Sequence, residues 1–121
     1  TKNFLRDSEK ILELNKKGME LDFQTGSLVY SLILRIRGLL MIKLMLNTGS
    51  YSKALLFEYL ENNNFRKNKV EELYKIYNSE KNDVKVKESS VITKEDIKKL
   101  IAMAEKLMDE VMDYHNEQEK I

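Results

Sequence analysis

The sequence predicts an all-α protein, and three observations support this prediction. Its 121 residues contain no proline and only four glycines, so few residues would interrupt a helix. Apolar residues recur at intervals of three and four along most of the chain. The third observation is the segment 28–46, LVYSLILRIRGLLMIKLML, which is apolar on almost every side. A chain of this length is expected to form one domain around one core.

The apolar segment is the predicted centre of an up-and-down bundle of four to five helices. A helix that is apolar all round has to be covered, either by its own chain or by a partner. Because Arg35, Arg37 and Lys43 would be costly inside a bilayer, we expect a buried helix and no membrane span. Gly38 suggests the close approach of another helix, from the same chain or from a second copy at a dimer contact.

Five helices are predicted in order, over residues 3–18, 23–47, 51–62, 65–80 and 94–115. The first is amphipathic, with Leu12 and Leu14 among its apolar contacts and Gly18 as its expected end. Ser50 is the expected N-cap of the third helix, in which Ala54 is one of the burying residues. A turn is predicted at the asparagine run that follows, residues 62–64, because asparagine competes for backbone hydrogen bonds and tolerates left-handed geometry.

The last two helices are separated by residues 80–90, EKNDVKVKESS, which lack a helical stripe and are predicted to form an exposed loop. Thr93 then opens the last helix, and Asp96 three residues later completes a pair that resembles a capping box. A regular apolar stripe runs from Ile97 to Val111. Beyond Asp113 the sequence becomes polar, and we expect the helix to fray there.

Charge is balanced overall but unevenly distributed. The formal net charge of +1 gives no global field that would indicate nucleic acid. From Phe23 to Phe57 there are four cations and no acidic residue, whereas five acidic residues follow from Asp109 onward. Three interpretations stay open: an anionic ligand near the middle of the chain, charge complementarity within the fold, or an ordinary solvated mixture.

Common catalytic signatures are missing from the sequence. Cysteine is absent and His115 is the single histidine, so we predict no metal, no cofactor and a surface position for His115. Glycine-rich phosphate loops and nucleophile elbows are also missing. The first residues do not form a signal peptide, which favours a cytoplasmic location. Since the chain starts at Thr1 without methionine, a fragment of a longer protein is a further interpretation.

Arginine on a mostly apolar helix must reach water, an acidic residue or a ligand. Arg35 and Arg37 are two residues apart, which places them about 200° apart around a helix. One face cannot hold both. We therefore expect one of them to pair with an acidic residue inside the fold, or to extend to water, and the other to line a cleft.

The order of elements resembles the HEPN superfamily. The resemblance covers Phe4 to Val111: an amphipathic helix, a long apolar helix with a tyrosine, a short helix, a fourth helix ending in a polar motif, a loop, and a helix starting ITKED. In HEPN ribonucleases the polar motif carries arginine, often followed by asparagine, with histidine a few residues later. The arginine contacts phosphate and the histidine assists attack of the 2′-hydroxyl, with no metal required.

Both catalytic residue types of that family are replaced in this chain. Tyr77 stands at the arginine position, Asn78 is kept, and Asn82 or Asp83 stands where the histidine would be. Tyrosine provides no cation, and asparagine cannot shuttle a proton. The resemblance therefore implies a non-catalytic member, similar to the domains that accompany minimal nucleotidyltransferases, and a homodimer through the central helix. Its expected contacts to a nucleotide or RNA are Arg35, Arg37, Tyr77, Asn78, Lys81 and Asn82.

Two other hypotheses belong to different functional classes. A metal-independent HEPN endoribonuclease toxin would cleave RNA through Tyr77 or Asn82. A purely structural oligomerisation or adaptor bundle would bind no small ligand.

Overall fold

The protein is an all-α helical bundle, as predicted. A computed structural model describes the backbone of residues 2–20, 25–46, 49–82 and 91–119, and the side chains of 5–18, 26–45, 49–82 and 91–113. This part of the chain contains no β-strand. Its helices are α1 (Lys2–Glu20), α2 (Thr25–Leu46), α3 (Lys53–Asn62), α4 (Lys67–Lys81) and α5 (Lys94–Glu119).

Helix α2 is the centre of the fold, which confirms the prediction for the apolar segment. It packs against α1, α4 and α5. Five of its side chains are fully buried, namely Val29, Leu32, Ile33, Ile36 and Leu39. The burial decreases toward the C-terminal end of α2, where Met45 is 73% exposed. None of the helices in the described ranges is long and apolar enough to cross a membrane.

The buried stripe of α1 is partly polar, which the sequence did not indicate. Leu12 is buried, but Leu14 is 63% exposed and Asn15 is 4% exposed, so the prediction for Leu14 was wrong. The Asn15 amide donates hydrogen bonds to the Ile11 carbonyl at 2.7 Å and to the Ser31 hydroxyl of α2 at 2.9 Å. These bonds satisfy the buried amide, which explains its place in the stripe.

The first helix also continues past its predicted end. Gly18 is buried within α1, which ends at Glu20, so Gly18 does not terminate the helix. Met19 and Glu20 disfavour the helix less than glycine does, and they extend it by half a turn.

The start of α3 corrects two further predictions. Ser52, and not Ser50, is the N-cap: it has extended backbone geometry, and its hydroxyl accepts a hydrogen bond from the Leu55 amide at 3.3 Å. Because the helix starts at Lys53, Ala54 lies in its exposed first turn. Burial is provided instead by Leu56 and Leu60, four residues apart on one face.

The asparagine run forms the predicted turn between α3 and α4. Asn64 adopts a positive φ of 70°. The Asn64 amide donates to the Glu61 carbonyl at 3.2 Å, and the Phe65 amide donates to the Leu60 carbonyl at 3.3 Å. This pair of bonds is a Schellman motif, which ends α3 and directs Phe65 into the core at 3% exposure.

The start of α5 confirms the capping prediction. The Thr93 amide donates to the Asp96 carboxylate at 2.9 Å, and the Asp96 amide donates to the Thr93 hydroxyl at 3.2 Å. Lys69 of α4 also binds this carboxylate, at 2.7 Å. The predicted stripe from Ile97 to Val111 is buried, including Leu100, Ala104 and Leu107 at 0% exposure.

The ends of α4 and α5 differ from the sequence expectation. Glu80, which both the predicted helix and the predicted loop included, belongs to α4, and so does Lys81. Residues 83–90 of the predicted loop lie outside the described ranges. Helix α5 continues to Glu119, past its predicted end at residue 115, because residues 114–119 contain neither glycine nor proline. The His115 side chain lies outside the described side chains.

Candidate functional site

Aromatic side chains from three helices meet along α4, which packs against both α2 and α3. Tyr30 of α2 stacks on Tyr77 of α4, with ring centroids 5.4 Å apart and planes inclined by 18°. Tyr74 lies beside Tyr77 at 5.7 Å, and Phe57 of α3 meets Tyr74 edge-on at 5.1 Å. Such offset and edge-on arrangements are favoured by the ring quadrupoles. With Tyr51, which precedes α3, these rings form the aromatic cluster.

Tyr51 joins the aromatic cluster through Arg37. The Arg37 guanidinium lies 5.5 Å from the centre of the Tyr51 ring, within the range of cation–π attraction. Burial raises the pKa of Tyr51; Arg37 opposes this increase, and the nearby hydroxyls of Tyr74 and Tyr77 add to it. The phenol therefore stays protonated near neutral pH and keeps its O–H as a donor for an oxygen ligand.

A second cation, Lys53, lies against the exposed side of the aromatic cluster. Its ammonium nitrogen is 4.3 Å from the centre of the Tyr74 ring and 5.3 Å from that of Phe57. Both distances are within the range of cation–π attraction. Lys53 is itself an exposed residue, so its ammonium group stays in contact with solvent.

The segment that supplies Arg37 and Lys53 contains cations and no acidic residue. No acidic residue occurs between Phe23 and Phe57, so Arg37 and Lys53 have no neighbouring carboxylate on their own segment. Lys53 is also the first residue of α3, where the helix dipole adds further positive potential. A cation at this end of a helix is unfavourable by itself and becomes favourable when an anion is bound nearby.

The structure brings some of the predicted site residues together. Arg37 and Tyr77 both belong to the cluster region, and Asn78 follows Tyr77 as a half-buried side chain. Lys81 is exposed at the last turn of α4, one turn after Tyr77 and on the same face. Lys81 therefore lies at the same end of α4 as Tyr77, about two turns beyond Tyr74.

Three predicted residues do not lie at the exposed side of the aromatic cluster. Tyr77 is only 3% exposed, so it supports the cluster from below and presents little surface to a ligand. Asn82 is the C-cap of α4: its backbone N–H donates to the Asn78 backbone carbonyl at 3.1 Å, and its side chain is exposed. Arg35 is half-buried and lies on the other side of α2 from Arg37, as the helical spacing requires.

Sequence reasoning missed most of the aromatic cluster. One signal was available: Tyr30 and Arg37 are seven residues apart and therefore share a face of α2. Nothing in the local sequence indicated that Tyr51 and Lys53 approach this face. Their approach depends on how α3 and the segment before it fold back onto α2.

The described side chains do not form a metal centre. No three histidine, cysteine, aspartate or glutamate side chains in this part of the protein are placed so that they could hold an ion. The chemistry available at the aromatic cluster is therefore that of cations, phenol hydroxyls and ring faces, which suits an anionic ligand with a planar group.

Comparison of the chain with protein-family models, with curated proteins and with solved structures found no match.

Proposed function

We propose that the protein is a non-catalytic, HEPN-like helical domain that binds a nucleotide or the end of an RNA strand at the aromatic cluster. One observation carries the proposal: Lys53 lies against the rings of Tyr74 and Phe57, in the acid-free region that also contains Arg37. Phosphate is recognised by arginine and lysine, and a base stacks on an exposed aromatic face.

The charge of the site favours phosphate over a neutral ligand. Arg37 and Lys53 supply two positive charges, and the Tyr51 hydroxyl supplies a neutral donor. Lys81, on the solvent side of α4, extends this surface toward a longer phosphate chain. A nucleoside triphosphate or a short RNA therefore fits the distribution of charge better than a free nucleoside does.

The residues at the family's catalytic positions support a non-catalytic role. Tyr77 is stacked on Tyr30 inside the protein, so it offers no cation to a phosphate. Asn82 is neutral and carries no group that titrates near neutral pH. We expect no RNA cleavage in the absence of metal. Cleavage that disappears in both Tyr77→Phe and Asn82→Ala would instead establish the endoribonuclease hypothesis.

Binding is tested by thermal shift and calorimetry with ATP, GTP and a short oligoadenylate. A ligand at 100 times its Kd stabilises the protein by about 2.7 kcal/mol, which corresponds to a rise of several degrees in Tm. Replacing Arg37 or Lys53 with alanine should weaken binding about tenfold each, because each removes a charge-assisted phosphate contact. Lys81→Ala should have a smaller effect with ATP than with the oligonucleotide.

The matched control for these variants is Lys98→Ala. Lys98 is an exposed lysine of α5 whose partner, Glu95, is also exposed. It should leave the affinity unchanged. The proposal is refuted if no ligand of the panel binds, or if Lys98→Ala lowers the affinity as much as Lys53→Ala does.

The partners implied by the resemblance are part of the same proposal. A homodimer would form through the C-terminal end of α2, where Met45 is 73% exposed beside half-buried Met41 and Leu44. A minimal nucleotidyltransferase would be the partner that uses the bound nucleotide. Light scattering should give the mass of a dimer, and Met45→Glu should give a monomer. A monomeric wild-type protein would refute the homodimer and leave the nucleotide site to be tested separately.

A further inference from the structure

The ring of Tyr74, on which a base would stack, is covered by a cation of the protein itself. The Lys53 ammonium nitrogen lies 4.3 Å from the centre of the Tyr74 ring and 5.3 Å from that of Phe57. A stacked aromatic group has its centre about 4.5–7 Å from the ring that it covers. The ammonium group and a stacked base therefore need the same space on this ring, and only one of them can occupy it.

The contact that holds Lys53 on the ring is weak enough to be exchanged. Lys53 is an exposed residue at the start of α3, and the rings of Phe57 and Tyr74 are half-buried. Among the described residues, the ion pairs do not include Lys53, so no carboxylate of this part of the chain holds its ammonium group. Cation–π attraction at an exposed site changes an equilibrium by about twofold to fivefold, and a charge-assisted contact to phosphate is stronger.

We propose that Lys53 makes the aromatic cluster selective for nucleoside phosphates over free nucleosides, by covering the Tyr74 ring until a phosphate draws the ammonium group away. A nucleoside has to displace the ammonium group without giving it a new partner. A nucleotide supplies that partner through its phosphate, and its base then takes the uncovered ring. This inference rests on the proposed nucleotide site and adds the origin of its ligand selectivity.

The second cation of the site has a different position and therefore a different expected effect. The Arg37 guanidinium lies over the ring of Tyr51, 5.5 Å from its centre, and not over that of Tyr74. Arg37→Ala removes a charge from the site but uncovers no part of the Tyr74 ring. It should weaken binding of AMP and should not strengthen binding of adenosine.

The experiment compares AMP with adenosine by NMR titration of the full chain, in the wild type and in Lys53→Ala. Lys53→Ala should weaken binding of AMP about tenfold, because a charge-assisted phosphate contact is lost. It should strengthen binding of adenosine about twofold to fivefold, because the Tyr74 ring is uncovered. A lysine that acted only through its charge would leave adenosine unaffected, and a purely structural role would weaken binding of both ligands.

The matched control is Lys99→Ala. Lys99 is an exposed lysine of α5 whose ammonium nitrogen lies 5.2 Å from the centre of the Phe65 ring, outside the aromatic cluster. Its replacement also removes a cation from a ring, but it should change neither affinity. Unfolding curves verify that both variants are folded. An equal gain of adenosine affinity in Lys99→Ala would overturn the assignment to the Tyr74 ring.

The titrations separate this inference from the proposed function. If AMP binds to the wild type but Lys53→Ala does not bind adenosine more tightly, the nucleotide site stands and the selectivity mechanism is overturned. If neither ligand binds to the wild type or to the variant, the nucleotide site is refuted, and the selectivity mechanism is refuted with it.

Discussion

The carboxylate of Asp96 is expected to stabilise this fold more than its position in the first turn of α5 would suggest. It is 2% exposed and accepts three hydrogen bonds: from the Thr93 amide at 2.9 Å, the Thr93 hydroxyl at 3.1 Å, and Lys69 at 2.7 Å. Loss of a cap costs about 1 kcal/mol, and loss of a bond to a charged group costs about 1.5–3 kcal/mol. Asp96→Ala should therefore lower the free energy of unfolding by about 3 kcal/mol.

Urea denaturation followed by circular dichroism measures this loss. The free energy of unfolding of a small protein falls by about 1–3 kcal/mol per molar urea, so a loss of about 3 kcal/mol should lower the midpoint by roughly 1 M or more. The loss is a large part of the total stability of such a domain, which is about 5–15 kcal/mol. The control is Glu95→Ala, one residue earlier, whose side chain is 78% exposed and pairs with exposed Lys98. Its effect should stay below about 0.5 kcal/mol. Equal effects of the two variants, or a loss under about 1 kcal/mol for Asp96→Ala, would refute the reasoning.

The same carboxylate predicts a dependence of stability on pH. Burial acts to raise the pKa of Asp96, but the hydrogen bonds from Lys69 and Thr93 outweigh it, and the pKa is lowered from its ordinary value of 3.8. A folded-state pKa below the unfolded value stabilises the protein above the unfolded pKa, and this contribution is lost as pH falls through the folded pKa. The stability difference between wild type and Asp96→Asn should thus be constant near neutral pH and shrink below about pH 4. A difference that grows on acidification would contradict this assignment.

Three further substitutions test other parts of the fold, each by urea denaturation. Asn64→Gly should stabilise the protein by up to about 1 kcal/mol and Asn64→Ala should destabilise it by about 1 kcal/mol, because the positive φ of 70° favours a residue without a β-carbon; the reverse order would exclude the left-handed turn. Tyr77→Ala should cost about 3–5 kcal/mol, whereas Tyr77→Phe should cost under about 1 kcal/mol because it keeps the stack on Tyr30; equal losses would assign the effect to the hydroxyl. A β-carbon at Gly26 would collide with the flexible carboxylate of Glu80. The change in the free energy of unfolding caused by Gly26→Ala should therefore be more favourable in a Glu80→Ala background than in the wild type, by about 0.5 kcal/mol or more. Additive effects of the two substitutions would show that the carboxylate lies elsewhere.

Local sequence signals predicted those features whose causes lie within a few residues. The asparagine turn and the Thr93 and Asp96 pair were confirmed because the groups that form their hydrogen bonds are at most five residues apart. The predicted N-cap of α3 was wrong by two residues, because Ser50 and Ser52 are both serines and the neighbouring residues do not distinguish between them. The structure distinguishes them through the Ser52 hydroxyl, which accepts a hydrogen bond from the Leu55 amide.

The candidate site was predicted only in part, for a related reason. The position of Arg37 on a mostly apolar helix identified it as a residue that needs a polar or ligand contact. The prediction placed Tyr77 in the site by its motif position, and the structure shows it stacked on Tyr30 and nearly inaccessible. The sequence did not reveal that Lys53 reaches the ring of Tyr74, because these residues are 21 positions apart and belong to different helices.

The sequence by itself determined the helical class, the central position of α2 and the turns, because periodicity and capping are properties of neighbouring residues. Only the tertiary structure decided which charged groups share a surface. The aromatic cluster combines three helices, and the ion pair between Lys16 and Glu105 joins α1 to α5 from opposite ends of the chain. Such juxtapositions depend on how helices pack around the buried face of α2, and residue spacing along the chain does not encode that packing in readable form.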